Sequence, residues 1–242
     1  MRPRQFIKQQ CSTSKSDSSR VALVLLLLTA AQLVHAQISG DATLVSDYRY
    51  RGASLSQGGP EAQLSVGYDH PDGWYAGGLL SGAELNDHDT QQLVGYAGYS
   101  GQLWSGLSWE SGVSSTSFLQ TSDYNYKEVF IGATSEIYSA RIYYSPSYFD
   151  LYTRSIYAEF NAAYPLQDKL QLLAHAGVLH FITDNNESAL TSRLDYRIGI
   201  NAKFVDWNVQ FAWVALQKKS TEYPQYEDRH PHIFLLSASY SF

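Results

Sequence analysis

The chain ends Phe234-Leu235-Leu236-Ser237-Ala238-Ser239-Tyr240-Ser241-Phe242, a run that alternates to its last residue. Side chains two apart share a face of a β-strand, so Phe234, Leu236, Ala238, Tyr240 and Phe242 make one apolar stripe. Leu235 and three serines make the other. A soluble domain gains little by closing on an exposed phenylalanine. Outer-membrane β-barrels close in this way, and their assembly machinery reads such a last strand. Phe242 and Tyr240 are therefore the expected assembly signal.

A barrel of that kind has to be exported first. Lys8, Lys15 and Arg20 precede the apolar run from Val21 to Ala31, and Val34-His35-Ala36 places small residues before Gln37, the layout of a cleaved secretory leader. The run is about half the ~20 apolar residues that a spanning helix needs. Residues 1–36 are thus expected to be a signal peptide, and 37–242 one outer-membrane domain. Removing the leader's five bases and one acid leaves 12 Lys/Arg and 22 Asp/Glu, a net charge of −10, and takes away the only cysteine, Cys11. The mature chain then needs no disulfide in an oxidising compartment and offers no thiolate chemistry.

The mature region reads as all-β, a transmembrane antiparallel up-and-down barrel of about twelve strands. Residues 194–204 are the clearest strand. There Leu194, Tyr196, Ile198, Ile200, Ala202 and Phe204 oppose Asp195, Arg197, Gly199, Asn201 and Lys203. The strands are expected at roughly 42–54, 60–69, 73–84, 90–100, 103–115, 125–135, 138–146, 153–164, 170–181, 192–204, 207–216 and 231–242. Short turns at 70–73, 101–102, 136–137, 165–169 and 205–206 alternate with longer polar loops at 56–59, 84–89, 116–124, 147–152, 183–191 and 217–230. That puts the turns at one end and the loops at the other, as membrane barrels require. Tyr48, Tyr50, Tyr68, Trp74, Tyr75, Tyr96, Tyr99, Trp104, Tyr144, Tyr164, Trp207 and Trp213 fall near strand ends, where an amphipathic ring suits an interfacial girdle.

The stretch Ser46-Asp47-Tyr48-Arg49-Tyr50-Arg51-Gly52-Ala53-Ser54, with Pro60-Glu61-Ala62-Gln63 and Gly73-Trp74-Tyr75-Ala76-Gly77 after it, resembles the opening of the proteobacterial Gcw_chp family. Members of that family are labelled porins of the TorF type. The resemblance runs over most of residues 40–242 and implies an outer-membrane β-barrel.

With the apolar stripes toward lipid, the opposite stripes give a lumen lined by Asp47, Arg49, Arg51, Glu61, Glu110, Glu128, Arg141, Glu159, Asp195, Arg197 and Lys203. Five bases against six acids suits mutual pairing, because an unpaired charge in a low dielectric is costly. Arg49, Arg51 and Arg197 are expected to pair with Asp47, Glu61, Glu159 and Asp195. Twelve strands lie between the side-chain-filled eight-stranded barrels and the open sixteen-stranded ones. The reading is therefore a passive channel for small hydrophilic solutes, or alternatively a plugged structural or surface-recognition barrel presenting acidic, tyrosine-rich loops such as 222–228.

No Ser, Asn or Asp accompanies any histidine at a catalytic spacing, so no enzyme is expected. His175 reads as a hydrogen-bonded interior residue. The pair His230 and His232 is a weak metal signal, so no metal or cofactor is expected. A strongly acidic chain argues against nucleic acid. The expected partners are outer-membrane lipid and lipopolysaccharide, the barrel-assembly machinery and periplasmic chaperones, with the cell outer membrane as location.

Overall fold

The computed structural model describes residues 37–85, 88–149, 153–182, 192–218 and 231–242. The expected signal peptide, the loop expected at 183–191, residues 150–152 of the one expected at 147–152 and residues 219–230, with His230, of the one expected at 217–230 lie outside the described residues. Within them the chain forms β1 (Gln37–Val45), β2 (Arg49–Tyr50), β3 (Ala53–Ser54), β4 (Glu61–Asp69), β5 (Trp74–Leu85), β6 (His88–Trp104), β7 (Leu107–Phe118), β8 (Tyr126–Thr134), β9 (Tyr138–Ser145), β10 (Arg154–Gln167), β11 (Leu170–Ile182), β12 (Ser192–Phe204), β13 (Trp207–Lys218) and β14 (His232–Ser241). All but β2 and β3 join, each antiparallel to its neighbours, in one closed twelve-stranded barrel. Closure satisfies every wall strand on both sides, which no open sheet can do in lipid.

The seam is where β14 meets β1. Five residue pairs join them, from Asp41↔Ser241 to Val45↔Ser237, against nine between β1 and β4. Two backbone bonds between Gly40 and Phe242, 3.1 and 2.9 Å, extend it. The Phe242 ring lies over Gly40, where a Cβ would come within 2.6 Å of it. Only glycine at 40 leaves the terminal ring this seat.

Outside, the alternation places the apolar stripes on the surface. Ile198, Ile200, Phe211, Phe234 and Leu236 are all largely exposed, as are Leu64, Val113, Val129, Ile131 and Ile142. Aromatic rings gather at the short-turn end. Trp74 meets Tyr99 edge-on at 5.1 Å, Tyr99 meets Trp109 at 5.9 Å, and Trp207 meets Tyr240 at 5.2 Å, a girdle of the kind that anchors a barrel at a membrane boundary.

Several sequence expectations are corrected. The first wall strand is 37–45, not 42–54; it stops at Val45 and the chain turns inward until β4 begins at Glu61. Residues 84–85 and 88–89, expected in a loop, are strand, because β5 and β6 pair as far as Leu85↔His88. β10 continues through Pro165 to Gln167, and a register shift between Pro165 and Gln167 accommodates a residue that cannot donate a ladder hydrogen bond. Tyr48, Tyr50, Tyr75 and Tyr96 are not girdle rings, the first two lying in the segment that turns inward. Tyr75 donates to Glu110 Oε2 at 2.7 Å inside the barrel, and Tyr96 lines the lumen beside Gly77.

Candidate functional site

Residues 46–60 carry the site. The chain leaves the wall at Ser46, whose N–H donates to Leu236 O at 2.8 Å. β2 and β3 then form a two-residue hairpin, Arg49↔Ser54 and Tyr50↔Ala53. Its central residues Arg51 and Gly52 have φ of +50° and +78°, the pair of left-handed conformations that a type I′ turn demands. Gly52 is needed twice over. A Cβ there would meet Asp195 Cβ at 2.6 Å and Leu216 Cδ1 at 3.0 Å, so the hairpin tip is pressed against β12 and β13.

Asp47 anchors the base of this hairpin. Its carboxylate accepts from Arg49 Nε at 2.7 Å, Ser54 Oγ at 2.5 Å and Ser56 Oγ at 3.1 Å. Tyr48 reaches β6, donating to Gln92 Oε1 at 2.5 Å, and burial pushes the Tyr48 phenol above its usual range, which keeps it a neutral donor. Leu55 O accepts from the backbone of Glu84 on β5 at 2.6 Å. Arg51 spans to β8, where Nη2 donates to both Glu128 oxygens at 2.9 and 2.8 Å. Its guanidinium sits among the rings of Tyr50, Tyr143, Tyr148 and Tyr157, nearest to Tyr157 at 4.2 Å. Cation–π contact and a carboxylate that takes Nη2 on both oxygens together offset much of the desolvation of a buried guanidinium, although Nη1 has no hydrogen-bond partner.

The infolded segment therefore touches β5, β6, β8, β12 and β13, and it lies across the lumen. It is sealed there by apolar side chains. Val45, Tyr48, Leu55, Ala83, Leu85, Phe118, Tyr126, Tyr148, Phe149, Tyr157, Leu179 and Phe181 form one buried cluster inside the barrel, built largely from the lumenal positions nearest the long loops. Leu55 and Phe118 are each only 1% exposed.

Beneath this seal is a cavity of about 440 Å³ lined by Arg49, Arg51, Glu128, Arg141, Glu159, His175, Asp195 and Arg197, with Tyr96, Phe130 and Tyr143. Arg141 is held by Glu110 at 2.6 and 3.1 Å. His175 bridges Asp195 Oδ1 and Asn161 Oδ1, both at 2.7 Å. Glu61 is not in this group: its carboxylate packs against Gly82. Lys203 sits on the lumenal stripe of β12 one residue before the strand ends. The expected pairing is also corrected. Arg49 pairs with Asp47, but Arg51 takes Glu128 instead of Glu61, Glu159 or Asp195. Among the described residues Arg197 has no carboxylate within 4 Å.

Alternation concealed the infolded segment. Asp47, Arg49 and Arg51 alternate with tyrosines much as a wall strand would, and the signal that separates them is Arg51-Gly52, a place for a tight turn. Gln92, Tyr143 and Tyr157 carried no sequence signal, since their roles exist only once the segment has folded in. Among the described residues no group of three or more His, Cys, Asp and Glu could hold a metal ion.

Solved structures of outer-membrane porins share this fold. A KdgM porin covers 84% of this chain and 99% of its own at 12% identity and a TM-score of 0.54; a second KdgM structure, in complex with disordered oligogalacturonate, matches with the same figures. A NanC porin covers 84% and 99% at 10% identity with a TM-score of 0.56. No curated protein matches the sequence. The sequence model of Gcw_chp, described as a bacterial protein of unknown function, matches residues 30–238, and the chain belongs to that family.

Proposed function

We propose that the protein is an outer-membrane channel for small hydrophilic solutes in which residues 46–60 are the occluding element. The observation that carries this reading is the combination of a polar, charge-lined cavity with a lumen-crossing segment that belongs to neither wall nor external loop. A barrel meant only as a membrane post has no need of a charged cavity; packed apolar residues fill a lumen at lower desolvation cost. The apolar exterior and the girdle support an outer-membrane location. The porin-like fold accords with both.

Planar-bilayer recording tests the reading. The refolded parent should show small or infrequent openings. Replacing residues 47–59 by a glycine-serine linker of equal length should give large, ohmic steps. Silence in both forms would overturn the channel and favour a non-conducting structural or recognition barrel, the reading that the apolar seal by itself would support. Location is checked by fractionation. The protein should sediment with outer membranes and begin at or near Gln37, and recovery as a soluble periplasmic protein would remove the basis of the proposal.

A further inference from the structure

The charges around the cavity pair off with two exceptions. Arg49 is matched by Asp47, Arg51 by Glu128 and Arg141 by Glu110, while Asp195 takes the His175 imidazole at 2.7 Å. Arg197 and Glu159 remain. Glu159 accepts one weak hydrogen bond, from the Tyr143 hydroxyl at 3.3 Å, and among the described residues no cation lies within 4 Å of it. Both side chains line the same cavity.

Register explains why they do not meet. Glu159 stands in the row Arg141↔Glu159↔Gly177↔Asp195, beside an Arg141 whose guanidinium is turned to Glu110, and Arg197 in the row Asn161↔His175↔Arg197. They are two strands apart, about 10 Å, and offset by one repeat of the pleat, about 7 Å. His175 lies between them but is already committed to Asp195 and Asn161. A cation and an anion thus face one space without neutralising each other, Arg197 exposed and Glu159 half-buried.

We infer that this cavity is a binding site for a small zwitterion of amino-acid or short-peptide size, its carboxylate on Arg197 and its ammonium on Glu159. A guanidinium fork suits a carboxylate, and a carboxylate suits an ammonium. A ligand with one charge would leave the other wall group unpaired, whereas a zwitterion satisfies both without changing the net charge of the lumen. Val94, Phe130, Val214 and Leu235 also line the cavity and give an aliphatic side chain a place. The volume of about 440 Å³ is within the range of small-ligand sites. This inference rests on the channel reading for its purpose but not for its test.

Equilibrium dialysis of the refolded full barrel in detergent micelles, against empty micelles, needs no conductance. The probes are radiolabelled L-leucine, N-acetyl-L-leucine, which lacks the ammonium, and L-leucinamide, which lacks the carboxylate. Leucine should be retained at least about tenfold more tightly than either. Glu159→Gln should remove that advantage over N-acetyl-leucine, and Arg197→Gln should remove it over leucinamide. Such opposite switches cannot come from general loss of fold. Failure of the parent to retain leucine above empty micelles would overturn the inference, as would equal retention of leucine and N-acetyl-leucine, or the same loss of all three probes in both variants. A conducting barrel that binds no leucine sinks the zwitterion site alone. A silent barrel that binds it sinks the channel alone.

Discussion

The two halves of the lumen are built on the same wall and filled in opposite ways. Near the long loops the inward positions are Leu85, Phe118, Tyr126, Leu179 and Phe181, closed over by the infolded segment into an apolar core. Near the short turns the same strands present Tyr75, Glu110, Gly132 and His175, and β12 presents Arg197, around or beside an open, charged cavity. Wall geometry is therefore indifferent to what fills the barrel. The lumenal stripe decides, residue by residue, whether a stretch is sealed like a protein interior or left wet.

The joint between the halves is Arg51 on Glu128, and breaking it should have the largest effect. Glu128→Ala strands a buried guanidinium among four tyrosine rings. Loss of one partner of a buried pair costs about 3–5 kcal/mol. Urea unfolding in lipid vesicles should register that loss, and proteolysis should open residues 46–60 while the wall stays protected. An unchanged midpoint would mean that the apolar core alone holds the segment and that the ion pair is dispensable.

How much of this was legible in the sequence divides along the same line. The wall was readable because its code is local: alternation with a period of two places Ile198 out and Arg197 in without knowledge of any other strand. Strand number and the segregation of turns from loops followed from it. The infolded segment obeys a different rule. Asp47, Arg49 and Arg51 have the period of a strand, but the partner that holds Arg51 is 77 residues away. Val45 could be recognised as the end of the wall only from its register with Glu61 and Ser237. The cavity was legible as a set of charges and illegible as a set of pairs. Pairing depends on which rows face each other across strands, and Glu128 in place of Glu61 is the case in point.

The wall itself is tested on its two faces. Ile198 is 51% exposed on the outside, and an arginine there should cost about 2–4 kcal/mol if the position lies at the bilayer midplane, falling toward zero near an interface. Asn201 faces the lumen, where Gln171 Oε1 accepts from it at 3.4 Å, and Asn201→Lys should be tolerated far better. Unfolding in vesicles that ranked the two the other way would invert the face assignment.

A smaller effect sharpens the account of the seal. Tyr48→Phe removes the hydroxyl that satisfies Gln92 Oε1, and Gln92 is fully buried with its Nε2 already lacking a partner. An acceptor buried without a donor costs about 1–3 kcal/mol. The double variant Tyr48→Phe with Gln92→Leu should recover most of that loss, since both polar groups are then gone. No recovery would mean that the ring position of Tyr48, and not its hydrogen bond, matters.

The least effect on stability belongs to the residue that says most about the class of fold. Phe242 is 66% exposed and packs by one edge on Gly40, while the seam's backbone bonds at that level do not need its ring. Phe242→Asp should therefore lower the unfolding free energy of the refolded barrel by no more than about 1 kcal/mol, as for a surface substitution near an interface. In cells the same variant should assemble poorly, because what is lost is the apolar aromatic at the end of the last strand. Gly40→Ala is the complementary variant. A Cβ there displaces the ring with the terminal residue still in place, so refolded stability should fall by no more than loss of the ring itself costs, while assembly in cells should persist. Comparing outer-membrane yield with refolded stability for the two variants separates recognition from packing. Equal yields of Phe242→Asp and parent would leave the terminal phenylalanine as a seam contact and nothing more.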